Sequence, residues 1–274
     1  MRLLLYQWHA DPLVLLMVMA LIYFHYRISK AAPVKNRIYF WSTLCLIGLT
    51  TCSPLHFLGM HVYFSAHMIT HVVLLLIAGP LLVMSIGPNP SAPGLKRISG
   101  FLHKRSWLAW LAAVGIMWCW HIPFIFDASF AGMSGFTVLP LLHAGSMLLA
   151  GILFSWPLVG PFSETHIHPL SGIIYLSTAC ISCSLLGLLI TFAPVNTFHH
   201  YGMAGSAMNG MPFNPWGLSP ATDQQAAGLI MWVPCCIIYL SGCLYLLQRW
   251  FATKEPPPGK EPSISLTLST TEHE

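Results

Sequence analysis

The chain has 274 residues, a formal net charge of +4, 55% hydrophobic residues and only 7% charged ones, and its mean hydropathy is +0.68. An ordinary soluble domain is about 25% charged, so the composition excludes a standard soluble enzyme, a disordered chain and a coiled coil, and points to a chain built for lipid. No basic stripe interleaved with aromatics is present, so nucleic-acid binding is unsupported.

In chain order, Arg2 leads through a short polar stretch into an apolar run with no small-residue cleavage pattern. The first span is therefore expected to stay in the mature protein. A bilayer core takes about 20 apolar residues per helix. Seven stretches qualify: 12–29, 38–58, 62–87, 106–126, 135–159, 170–192 and 223–250. The predicted fold class is all-α, a polytopic membrane protein of seven transmembrane helices. Seven such stretches with almost no charge argue against a buried soluble bundle. Trp8, Trp41, Trp107, Tyr201 and Trp250 stand near span ends, as interfacial aromatics do. Pro80, Pro140 and Pro234 lie within spans and are candidate kinks. No internal repeat is visible, which does not favour an inverted-repeat transporter.

Orientation follows from the basic residues. Arg27, Lys30, Lys35 and Arg37 stand at and just after the end of span 1; Lys96, Arg97, Lys104 and Arg105 follow span 3; Arg249, Lys254 and Lys260 stand at and after the end of span 7. With seven spans these groups share one face, and only Arg2 lies opposite. That face is expected to be cytoplasmic, with the N-terminus outside and the C-terminus inside. Residues 1–250 then form the membrane domain. Residues 251–274, with Pro, Ser, Thr and several charges, read as a disordered cytoplasmic tail.

Fourteen His and thirteen Met are many for so few charges, and ionisable residues within spans are functional candidates. His67 and His71 in span 3 are i and i+4, on one helix face about 6 Å apart along the axis. That spacing suits one metal ion, or two imidazoles bonded across helices. His121 and Asp127 end span 4, where Pro123 frees a carbonyl near His121. His143 and Met147 in span 5 are again i and i+4; imidazole with thioether suits Cu(I), while methionine also fills cores. Asp223 opens span 7, where Ser219, Thr222 or Asp223 itself suits a helix cap. Alternatively it faces the His cluster as a proton acceptor or indirect partner. Met231 lies about two turns deeper.

The predicted topology puts His67, His71, His121, His143 and Asp223, from four spans, in the outer half of the bilayer. The same side holds His9, Asp11, His56, Met60 and His61. It also holds an outer loop with His199, His200, Met203, Met208 and Met211 and no Lys, Arg, Asp or Glu. Met and His without carboxylates suit copper over hard ions; a Gly/Met/Pro loop packed at the interface is the plainer reading. The CISC motif of Cys180 and Cys183, and Cys45, Cys52, Cys119, Cys235, Cys236 and Cys243, read as small buried hydrophobes, with metal binding or reactivity as the alternative for CISC. No Walker A loop, GxSxG, HExxH or dinucleotide fingerprint is present.

The strings SPLHFLGMHVYFSAHMITHVVLLLIAGPLL, WCWHIPFIFDASF, LLGLLITFAP and DQQAAGLIMWVP, in this order and with the opening WHADPLVLL, resemble the CtaG family. These are the multi-pass bacterial cytochrome c oxidase assembly factors first associated with caa-type oxidases. The resemblance runs from about residue 8 to residue 250. It implies a seven-helix protein of the bacterial cytoplasmic (inner) membrane, needed to build active haem–copper oxidase and concerned with copper delivery. The family's characteristic positions fall on His67, Met68, His71, His121, Pro123, His143, Asp223, Gln224 and Met231. The family pattern leads one to expect a second acidic or His position one turn after His143; Met147 stands there and moves the expectation toward Cu(I).

The expected function is an assembly factor, not an enzyme. It would hold Cu(I) with His67, His71, His121, His143, Met68, Met147, Met231 and Asp223, with His199, His200, Met203, Met208 and Met211 as an outer relay. The expected partners are subunit I or II of a haem–copper oxidase, an external copper chaperone and the bilayer. Three other readings stay open. A zinc-dependent intramembrane hydrolase would use Ser65, the four histidines and Asp223. A haem-binding redox protein would use paired His ligands. A copper permease is disfavoured by the lack of polar residues in the inner halves of the spans.

Overall fold

A computed structural model of the chain describes residues 8, 11–29, 32–88, 90, 92–130, 138–195, 197–202, 207–208, 211–212 and 214–252. The first helix, α1 (Pro12–Ile28), starts where Pro12 has no N–H to leave unpaired and the Asp11 carboxylate accepts from the Leu13 N–H at 2.7 Å. Helix α2 (Val34–Thr51) gives way at Cys52 and Ser53 to α3 (Pro54–His61), again with Pro at the first position and a Ser53 hydroxyl accepting from the Leu55 N–H. Helix α4 covers Phe64–Ser85. One turn of it, Val73–Ala78, is π-helical. Pro80 supplies the reason: it has no N–H for the Leu76 carbonyl, and the Gly79 N–H reaches back to the Leu74 carbonyl instead, an i→i+5 bond.

Helix α5 (Pro93–Lys104) turns Leu95, Ser99 and Leu102 inward and Lys96, Arg97 and Lys104 outward. Then follow α6 (Ser106–Trp120), α7 (Pro123–Phe130), α8 (Val138–Val159), a 3-10 turn at Ser163–Thr165, α9 (Pro169–Phe192), the short α10 (His199–Gly202), strands β1 (Ala207–Met208) and β2 (Met211–Pro212) in antiparallel register, and α11 (Pro220–Ala252).

Among the described residues, four helices (α4, α8, α9, α11) are long and apolar enough to cross a membrane. The number is six if each bent pair is one span: α2 and α3 meet at 45°, α6 and α7 at 68°. The first expected stretch corresponds to α1, an apolar helix of 17 residues. Two expected stretches, 38–58 and 106–126, are thus broken helices. The region after span 3, expected as a loop, contains α5. Each break has a proline at the start of the following helix, Pro54 or Pro123. Residues 253–274, most of the expected tail, lie outside the described residues.

The connections sort to two ends of the bundle. At one end Asn36 donates to the Met84 carbonyl at 2.7 Å, Trp156 Nε1 donates to Ser99 Oγ at 2.8 Å, and His103 Nδ1 donates to the Thr165 carbonyl at 3.0 Å. At the other, Tyr63 Oη donates to Asn214 Oδ1 at 2.6 Å and accepts from the Trp216 N–H at 2.9 Å. There too, Tyr201 Oη donates to the Gly59 carbonyl and Asp127 accepts from the His199 and His200 N–H groups. All eight cysteines are free thiols.

Two glycine crossings let helices meet at the backbone, as small residues do in lipid. A Cβ on Gly79 would stand 2.6 Å from the Gly151 backbone, which joins α4 to α8. One on Gly187 would stand 2.8 Å from the Gly228 carbonyl, which joins α9 to α11.

Candidate metal centre

His71 and His143 each stand about two turns before the Gly79–Gly151 crossing, one on α4 and one on α8. The crossing draws the helices together and the two rings with them, to 4.6 Å between centroids. His67, one turn before His71, completes a triangle: its ring lies 4.5 Å from that of His71 and 5.1 Å from that of His143. One ligand nitrogen from each of the three lies within 4.8 Å of the others. All three rings are buried, and among the described residues Nε2 of His67, His71 and His143 has no hydrogen-bond partner. Buried polar atoms are nearly always paired, so three orphaned imidazole nitrogens facing one space fit a metal ion. That space is a cavity of about 30 Å³, enough for one ion or water.

His121 stands behind the triangle. Its Nδ1–H donates to the Met117 carbonyl at 2.6 Å, one turn back on α6. In the neutral ring Nε2 then carries the lone pair, and it accepts from His71 Nδ1–H at 3.3 Å. This assignment leaves the lone pair of His71 on Nε2, the orphaned atom. The bend between α6 and α7 turns the chain at His121 and keeps its ring between the helices. Metal-binding imidazoles commonly donate their second nitrogen to such a partner, which orients them. Trp120 stacks on His143 at 4.3 Å and 20°, and donates to Ser146 Oγ at 2.7 Å. Both restrain the His143 ring.

Asp223 is held elsewhere. Its carboxylate accepts from the Phe64 N–H at 2.6 Å, the Ser65 N–H at 3.1 Å and Ser65 Oγ at 2.5 Å. It thus caps α4 from α11, where Tyr63 offers no side-chain cap. The start of α11 is capped by Ser219, which accepts from the Thr222 N–H. Gln224 donates to the carbonyls of Ile190 and Ala193 at the end of α9.

The methionines divide. Met68 Sδ lies 3.4 Å from His121 Nε2. Met147 packs with Ile47, Leu74, Ala78 and Leu148. Met231 packs in the main core with Cys183 and Cys235. In the expected relay, His199 Nδ1 lies 3.0 Å from Asp127 Oδ2, and His200 Nε2 donates to the Met60 carbonyl at 2.9 Å. Burial lowers the His200 imidazole below its ordinary range. Burial, then the nearby Asp223 carboxylate, raises the Tyr201 phenol well above its own. Met208 and Met211 pair through the backbone of β1 and β2. Met203 and His9 lie outside the described residues.

Two cavity residues were not among the expected ligands: His56 and Met60 line the same space as the triangle. Their i, i+4 spacing was a signal, but the break at Ser53 hid which face of the helix turns inward.

A family model described as Cytochrome c oxidase caa3 assembly factor matches residues 11–253. No curated protein and no solved structure matches the chain.

Proposed function

The chain belongs to the cytochrome c oxidase caa3 assembly factor family, and from that premise we propose that it binds Cu(I) at His67, His71 and His143 and delivers it to a haem–copper oxidase. The observation behind this reading is the set of three orphaned, buried imidazole nitrogens. Among the described residues the cluster contains no carboxylate. Imidazole suits copper and zinc alike, but the cost of burying an ion rises with the square of its charge. A neutral ligand set in an apolar bundle therefore favours a monovalent ion over a divalent one. His121 orients His71, and Met68 lies beside His121.

The bundle is read as seven spans in the bacterial inner membrane, counting α1 and each bent pair as one. The N-terminus is outside and the C-terminus cytoplasmic. Two observations support this. The connections alternate between two ends, and the amphipathic α5 carries Lys96, Arg97 and Lys104 at the end assigned to the cytoplasm. The triangle then lies toward the outside, within reach of an external copper donor and of oxidase subunit I or II. Delivery is ligand exchange with no chemical turnover, so the role is not enzymatic. A hydrolase would need Asp223 and Ser65 at the metal, whereas their hydrogen bonds run to each other and to the start of α4.

The test is the metal content of protein purified anaerobically in detergent, beside a His67→Ala/His71→Ala variant. Stoichiometric copper that vanishes in the variant is the expected result. Zinc in its place, or a deletion strain that assembles fully metallated oxidase in copper-limited medium, overturns the reading.

A further inference from the structure

The triangle is buried, so an ion must cross part of the protein to reach it. The cavity it faces is lined from the other side by α3. His56 and Met60, one turn apart on that helix, both face this space. His56 shares the cavity yet stands outside the cluster of three ligand nitrogens. The lining of the cavity therefore offers two donor sets: imidazole with thioether on α3, three imidazoles on α4 and α8.

The position of α3 is fixed closely. A Cβ on Gly59 would meet the His67 N and Cα at 3.0 and 3.1 Å, so α3 rests on the backbone that carries the first histidine of the triangle. From the other side, His200 donates to the Met60 carbonyl and Tyr201 to that of Gly59, which pins the last turn of α3. The 45° bend at Ser53 aims α3 across the start of α4 in place of continuing α2.

We propose that His56 and Met60 form a transient Cu(I)-binding pair through which the ion passes to His67, His71 and His143. This rests on the Cu(I) reading of the triangle. A soft thioether and one imidazole hold Cu(I), and fewer donors hold it less firmly than three imidazoles. Transfer breaks the bonds to Met60 Sδ and the His56 ring and makes bonds to the three Nε2 atoms. Imidazole and thioether both bind copper as neutral donors, copper stays Cu(I), and no electron moves. Stepwise exchange keeps the ion coordinated in a region where a bare charge is costly.

The experiment follows anaerobic Cu(I) uptake from a Cu(I)–bicinchoninate complex by the full chain in detergent. It compares wild type, Met60→Leu, His56→Gln and His67→Ala/His71→Ala. Leu matches Met closely in volume, so Met60→Leu keeps the fold if His56→Gln does not. The proposal expects both α3 variants to reach wild-type copper at equilibrium but to load about tenfold more slowly, an ordinary rate effect for one lost transition-state contact. The double variant should lose equilibrium copper. Wild-type loading rates in both α3 variants overturn the proposal. So does loss of equilibrium copper in Met60→Leu at unchanged melting temperature, which would make Met60 a resident ligand. Wild type that takes up no Cu(I) defeats the reading of the triangle itself, and this shows before any variant is compared.

Discussion

Asp223 on α11 and Ser65 on α4 meet side chain to side chain at 2.5 Å, and the same carboxylate takes the N–H groups of Phe64 and Ser65. A helix that carries two of the three ligand candidates is therefore capped by a residue 158 positions away. Charge at a helix N-terminus is favourable there, and among the described residues the N–H groups of Phe64 and Ser65 have no other side-chain acceptor. Asp223→Ala should destabilise the protein by about 1–3 kcal/mol, the usual cost of leaving a buried donor unmet. Asp223→Asn, which keeps an acceptor oxygen, should recover part of it. Thermal unfolding in detergent checks this; an Asp223→Ala variant that melts like wild type would refute the capping role.

His121 orients His71 through their shared hydrogen bond. His121→Phe should weaken copper binding by about 10–100-fold, the range for lost outer partners of metal ligands, while the stoichiometry stays unchanged. Competitive titration against a Cu(I) chelator measures it. If copper is lost altogether, as expected for His67→Ala, His121 is itself a ligand.

Gly79 and Gly151 let α4 and α8 touch. Gly151→Ala inserts a methyl group where there is no room, at a cost of about 1–3 kcal/mol for overpacking. It should also part His71 from His143 and weaken the site. Gly100→Ala in α5 is the control: among the described residues, nothing beyond its own helix backbone and chain neighbours lies within 4 Å of an added Cβ. Paired melts and copper titrations decide; equal behaviour of the two variants would mean the crossing does not hold the site.

Copper that binds only the folded protein stabilises it by mass action. At a free concentration of about 100 times Kd the gain is about 2.7 kcal/mol. A Cu(I) chelator should therefore lower the melting temperature of the loaded wild type. It should leave His67→Ala/His71→Ala unmoved. A chelator shift of equal size in both proteins would point to copper bound elsewhere.

Much of this arrangement was legible in the amino-acid order. The helical, lipid-suited character followed from low charge and long apolar stretches, and the meeting of His67, His71 and His143 was in line with the spacing of the first two and the expectation that all three lie on one side of the bundle. What periodicity does not carry is how one helix is rotated against another. That rotation decides that His121 backs His71, that Asp223 serves α4, and that Met147 faces apolar neighbours. The breaks at Ser53 and His121 did leave a mark, a proline opening the next helix in each case. Continuous hydropathy across 38–58 and 106–126 outweighed it.

The π-helical turn at Val73–Ala78 lies between the paired histidines of α4 and Gly79. Such a turn takes up one residue more than a regular one, and one residue is about 100° of rotation. The helix is thereby phased so that its histidines and its glycine both find α8. Insertions in the surface connections leave that phase alone. Within these six residues, a single deletion would turn either the imidazoles or the glycine away from its counterpart, so the length of this stretch is itself part of how the site is built.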